Sequence, residues 1–156
     1  NWMAQTSANT KDFIVDLYDL SNHANGIRSF PYSTSAVTNP LRHSSLQKLT
    51  ALHDIGEVWA NMLHQVYAAL VAARVFSNKK LTDANGKEGN IVFMKVMMNA
   101  LPVIRLVLVQ ARNAILQADQ NKCNGANRCI IAKEGCAFRR GCPPWSAATK
   151  VYDKCR

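Results

Sequence analysis

The sequence predicts a mainly α fold, a helical bundle built as a single domain over residues 1–156. Three observations carry that expectation. A long run after residue 44 keeps apolar residues at the three-to-four spacing of a buried helical stripe. Two further helical runs follow, divided by Pro102. The apolar fraction of 48% over 156 residues is enough to bury a core and argues against disorder.

Along the chain, residues 10–20 (TKDFIVDLYDL) alternate imperfectly and fit a short strand or a helix. Residues 21–40 hold Gly26, Pro31 and Pro40 among Ser, Thr and Asn, and read as a long ordered loop. Ser44 or Ser45 can cap a helix running to about Phe76, with its stripe at Leu49, Leu52, Ile55, Trp59, Met62, Leu63, Val66 and Leu70. A polar turn covers residues 77–90, and Asn85-Gly86 marks its bend. Helices are expected at 91–101 and 103–120, with Pro102 opening the second of these. Beyond Lys122, glycines and Pro143-Pro144 break the chain repeatedly, leaving room for one short helix within 126–140.

Nineteen Lys and Arg against ten Asp and Glu give a net charge of +9. Six of those nine charges fall in residues 121–156, where eight cations meet two acids. Such a field attracts anionic partners, RNA or an acidic surface, and Arg128, Lys133, Arg139, Arg140 and Lys150 are the candidate nucleic-acid contacts. Phe138, Trp145 and Tyr152 lie among them, placed to stack on bases or to fill a small stapled lobe.

All five cysteines (Cys123, Cys129, Cys136, Cys142, Cys155) sit in that basic tail. No C-x-x-C pair occurs, which argues against a zinc ribbon or a thioredoxin-like site. Disulfides and an oxidising, secreted setting are expected instead. The odd count leaves one thiol free for a disulfide-linked partner. The start at Asn1 has no charged or apolar leader and reads as a mature, processed terminus. The longest apolar stretch is interrupted by Lys95, Asn99, Pro102 and Arg105, so no transmembrane helix is expected. Phosphate-loop, dinucleotide and serine-hydrolase signatures are absent from the sequence.

On the long helix, His53, Glu57 and His64 share one flank, since separations of four and seven residues return to nearly the same face. Such a flank suits a divalent metal or acid/base work on a phosphodiester, and these three residues are the candidate catalytic set. The same spacing also fits a solvated helix face with an i,i+4 His–Glu pair. Asp12, Asp16 and Asp19 form a second acidic set, as exposed charges or as a hard-cation site.

Several motifs occur together. Gly26 to Leu41 reads GIRSFPYSTSAVTNPL, and His53 to Leu63 reads HDIGEVWANML. Val109 to Ile115 reads VQARNAI, residues 124–129 read NGANRC, and residues 137–141 read AFRRG. In this order they resemble the late catalytic segment of fungalysin-type zinc metallopeptidases, which are secreted fungal enzymes. Asn1-Trp2-Met3-Ala4 resembles the D-F-M-A that trails the family's third zinc ligand. The resemblance implies that His53 donates a hydrogen bond to the oxyanion formed at the scissile carbonyl. Ile104 stands where the family carries a cysteine, so one family disulfide is expected to be lost.

The family's HExxH helix is nowhere in these residues. Peptidase activity by this chain alone is therefore not expected. The first reading is a stand-alone secreted fungal protein on this scaffold, acting in defence or cytotoxicity on an anionic target such as RNA, as a ribonuclease or ribosome-directed toxin using His53, Glu57 and His64. The alternative is a C-terminal fragment or subunit of a zinc metallopeptidase in which His53 stabilises the oxyanion.

Overall fold

A computed structural model of the chain describes residues 6–9, 11–16, 26–103 and 108–134. Two short strands, β1 (Asp12–Phe13) and β2 (Tyr32–Ser33), precede helices α1 (Leu52–Arg74), α2 (Gly89–Ala100), α3 (Leu108–Cys123) and α4 (Arg128–Glu134). The strands pair antiparallel, with Asp12 opposite Ser33 and Phe13 opposite Tyr32. The ambiguous N-terminal run thus takes the strand alternative where it is described.

The long helix begins later than its capping signal suggested. Ser45 accepts a hydrogen bond from the Arg42 amide at 3.0 Å, but the turn it closes is a six-residue 3-10 helix, His43–Lys48. Leu49 then turns extended, at φ −103 and ψ 127. Short 3-10 turns seldom propagate, because their hydrogen bonds are poorly aligned. α1 starts only at Leu52 and runs 23 residues.

The core lies between α1, α2, α3 and α4. Val66, Tyr67 and Leu70 of α1 pack with Val92, Phe93 and Val96 of α2, Ile115 of α3 and Ile131 of α4. Tyr67 meets Phe93 edge to face, with ring centroids 5.4 Å apart. Burying each of these larger side chains contributes about 2 kcal/mol.

Two polar staples set the helix connections. At the α1–α2 turn, Asn90 accepts from the Ser77 amide at 3.0 Å and donates to the Ser77 carbonyl at 2.8 Å. Gly89 lets the start of α2 touch α1, since a Cβ there would overlap the Leu70 carbonyl. At the α3–α4 turn, the buried Asp119 carboxylate accepts from the Asn127 amide at 3.0 Å and from Asn127 Nδ2 at 2.6 Å. Asn124 and Gly125 turn the chain there at φ 52 and 72, conformations that Asn and Gly tolerate.

The expected short helix after residue 126 is α4. Cys129 is disulfide-bonded, while Cys123 keeps a free, partly buried thiol. Burial, then the Asp119 carboxylate, raises the Cys123 pKa against the pull of Lys95 and Arg74. A thiol so placed is a poor nucleophile. Residues 135–156, with Arg139, Arg140 and Lys150, lie outside the described residues, as does the position of Ile104.

Among the described residues, Val75, which ends α1, is the one β-branched residue on a strained backbone. Its φ of 58 and ψ of 176 belong to a region used almost solely by glycine. The side chain is 69% exposed and contributes little packing in return. Val75→Gly should therefore stabilise the chain by about 1 kcal/mol, read as a rise of roughly 2–4 °C in the thermal midpoint.

Candidate active site

Gly26 opens the loop at φ 65, where a Cβ would collide with the Val15 carbonyl, and the Ile27 amide donates to that same carbonyl at 3.0 Å. From there to Leu41 the backbone has almost no sheet partner, apart from the two pairs of β2. Its amides need acceptors elsewhere.

The polar flank of α1 supplies them. Glu57, 2% exposed, accepts from the Ser29 amide at 3.1 Å through one carboxylate oxygen and from the Phe30 amide at 2.9 Å through the other. Asn61 accepts from the Ser33 amide at 2.9 Å. His64 holds the neighbouring strand segment, with Nε2–H donating to the Lys11 carbonyl at 2.9 Å. The spacing of four and then three residues puts all three side chains on one flank, one above another. Ser33 closes the arrangement by donating to Asp12, and Asn39 donates to the Pro31 carbonyl at 2.8 Å. One turn further along α1, Tyr67 donates to Thr6 at 2.8 Å.

The electrostatics follow from burial. Desolvation lowers the His64 pKa below its usual value, against the opposing pull of the Lys11 carbonyl and the Asp12 charge. Burial raises the Tyr32 phenol, while Arg28 lowers it by charge and hydrogen bond and Glu57 raises it further. Arg28 and Tyr32 of the loop and Glu57 of α1 thus influence one another electrostatically.

Glu57 and His64 are buried and engaged by the backbone, whereas His53 stands exposed on the first turn of α1. Among the described residues no group of three or more His, Cys, Asp or Glu side chains could hold a metal ion. The divalent-metal site expected at His53, Glu57 and His64 therefore does not form there. Its carboxylate already receives two N–H donors, and a metal at His64 Nε2 would displace the bond to Lys11. Asp12 is exposed, as expected of a surface charge, and accepts from Ser33.

Of the expected nucleic-acid contacts, Arg128 is half-buried, and Lys133 is exposed with its Nζ 3.7 Å from Glu134. Asn61 went unnoticed in the sequence, although its place between Glu57 and His64 on the same flank was the available signal. No described helix is long and apolar enough to cross a membrane.

Two measurements test this clamp. Glu57→Gln keeps one acceptor but turns an amide NH2 toward a loop N–H, so urea denaturation should show a loss of about 2–3 kcal/mol. The second concerns pH. The folded chain protonates His64 less readily than the unfolded chain, where the imidazole titrates near its ordinary 6.5. Above that value the residue adds no pH dependence. As pH falls below it, the unfolded state takes up the proton first, and stability declines toward the lowered folded pKa. Wild-type thermal midpoints should fall over that window, and His64→Gln should flatten the decline.

Comparison with known proteins places this geometry in a family. Residues 1–141 match the model of the fungalysin metallopeptidase (M36) family. The extracellular metalloproteinase mep of Aspergillus fumigatus is 42% identical over 116 residues, covering 71% of this chain and 18% of that protein. Extracellular metalloproteinase 5 of Arthroderma gypseum is 40% identical over 120 residues, 73% of this chain and 19% of its own length. Extracellular metalloproteinase 1 of Phaeosphaeria nodorum is 38% identical over 128 residues, 79% and 20% respectively. The chain thus spans about a fifth of the length of the curated relatives it matches. By sequence motif, helical architecture and family match, it belongs to the fungalysin metallopeptidases.

Proposed function

We propose that this chain supplies the oxyanion-binding side of the active site of a secreted metallopeptidase, with His53 as the donor. The observation that carries this reading is the division of labour on α1. Glu57, Asn61 and His64 fix the helix against the loop, and His53 stands free of that clamp, exposed one turn before Glu57. A ring nitrogen held on a rigid helix start can meet the oxygen of a peptide carbonyl as negative charge develops on it. Preorganisation is the source of its benefit, because the helix does not have to move when the charge appears.

Among the described residues no group could hold the metal of such an enzyme, and the sequence contains no HExxH to supply metal ligands and general base. They belong to chain outside this segment or to a second chain. The extracellular names of the relatives support secretion. The reading as a free-standing defence protein acting on RNA rests on the basic, cysteine-rich tail and its aromatics, which lie mostly outside the described residues. Two of its three proposed catalytic residues are engaged by main chain, Glu57 by the loop amides and His64 by the Lys11 carbonyl.

The test is a chimera in which this chain replaces the matching segment of the Aspergillus fumigatus metalloproteinase. His53→Ala should lower kcat for peptide hydrolysis by about 10²–10³, with the thermal midpoint unchanged because the side chain is exposed. An unchanged kcat would remove the assignment. Cleavage of ribosomal RNA by the isolated chain, abolished by His53→Ala, would restore the toxin reading.

A further inference from the structure

The hydrogen-bonding flank of α1 runs on past the point where the loop leaves it. Glu57 and Asn61 receive the amides of Ser29, Phe30 and Ser33, and Gln65 is the next residue at the same spacing. Each step of four advances a side chain by only about 40° around the helix, so Gln65 stands one turn further along beside the same flank. The loop does not reach it. Thr34, the residue after Ser33, is exposed, and the chain then closes a turn in which the Asn39 amide donates to the Ser35 carbonyl at 2.9 Å. Among the described residues nothing bonds to the side-chain amide of Gln65, which is half-buried.

A groove of about 610 Å³ opens at that place. Gln65, Ala68, Ala69 and Ala72 line it from α1, and Ser7, Ala8, Asn9 and Lys11 line it from the N-terminal segment. That segment is fixed, since Tyr67 and Lys80 donate to Thr6 and His64 donates to the Lys11 carbonyl. The groove is therefore preformed. Its lining narrows what fits. Alanine side chains end at Cβ, so a neighbouring main chain can lie close to the helix. The Gln65 amide offers one donor group and one acceptor, which match the N–H and C=O of an extended peptide. Lys11 and Glu134 are the only charged groups among the described lining residues, one of each sign, which does not suit a phosphate chain.

We infer that this groove is an accessory site for protein substrate, in which an extended, uncharged stretch of polypeptide bonds its main chain to Gln65 and lies over Ala68, Ala69 and Ala72. The occupant follows from continuity with an interface already formed. The same flank binds extended main chain at Glu57 and Asn61, and Gln65 repeats that chemistry where the loop has turned away. The choice of substrate as the source of the peptide rests on the reading of His53 as an oxyanion donor. Twelve residues of helix separate His53 from Gln65, about 18 Å. An extended chain needs at least about five or six residues to cross that distance. The groove thus serves long, unfolded substrates and lies out of reach of a short peptide held at His53.

Binding is measured on the isolated chain by the fluorescence anisotropy of a fluorescein-labelled peptide of about twelve Ser, Thr, Ala and Leu residues. The peptide should bind saturably. Gln65→Ala should weaken binding about three- to tenfold, the worth of one hydrogen bond. Ala72→Trp fills the groove from an exposed position and should abolish binding. Both variants should keep the thermal midpoint within about 2 °C, because neither residue is in the core. In the chimera, Gln65→Ala should raise KM for an unfolded protein substrate by the same factor and leave kcat and KM for a short peptide unchanged.

No saturable binding by the parent chain, or equal binding by all three chains, overturns the inference. A KM change shared by short and long substrates also overturns it, as does binding in the isolated chain with no effect on KM for the long substrate. A concentration-dependent dimer lost in Ala72→Trp would give the groove to a second copy instead. If the chimera does not fold, the anisotropy result decides alone. His53→Ala separates the two claims: it should lower kcat in the chimera and leave peptide binding by the isolated chain unchanged, so either can fail while the other stands.

Discussion

The structure depends on a carboxylate buried in the flank of a helix. Glu57 takes two loop amides, one on each oxygen, at 3.1 and 2.9 Å. An ionised carboxylate away from water is expensive unless its lone pairs are filled, and backbone N–H donors fill them well. The need is mutual. Pro31 has no N–H to give a sheet ladder, and the strand pairing next to it lasts only two residues. The loop therefore cannot satisfy its own backbone, and the helix cannot leave Glu57 buried without the loop.

Asn61 and His64 extend the same logic. Together with Glu57 they bond four main-chain groups, the amides of Ser29, Phe30 and Ser33 and the carbonyl of Lys11. A helix flank thereby does the work that a neighbouring strand would do in a sheet. The consequence reaches His53, because the turn that carries it is anchored one turn away by the most buried charge on the helix. Rigidity at the core end of the helix comes from apolar packing, and rigidity at the His53 end comes from hydrogen bonds.

The fold was legible where periodicity ran long. The stripe from Trp59 to Leu70 marked the central helix, and Pro102 marked the division between the two that follow, because packing and backbone chemistry agree at those places. The start of the central helix was misplaced because Ser45 has the chemistry of a cap whether the turn it closes is 3-10 or α. Local capping signals do not report what Leu49 does afterwards. The staples, Asn90 to Ser77 and Asn127 to Asp119, were not readable, since each joins residues whose approach is decided by how whole helices cross.

The site was legible in composition, and its spacing left more than one role open. A His–Glu–His flank at the edge of a core can take its partners from a ligand or from main chain, and spacing alone is the same for both. The sequence did contain the deciding term. A loop of some fifteen residues rich in Ser, Thr, Asn and Pro, described from Gly26 to Pro40, lays its main-chain donors along a helix and must place them somewhere. Counting those donors against nearby acceptors selects Glu57 and Asn61 as loop-holding residues before any metal is considered. His53 is the member of the flank that this count leaves over. Its exposure on the first turn of α1 leaves it available for contacts other than the loop.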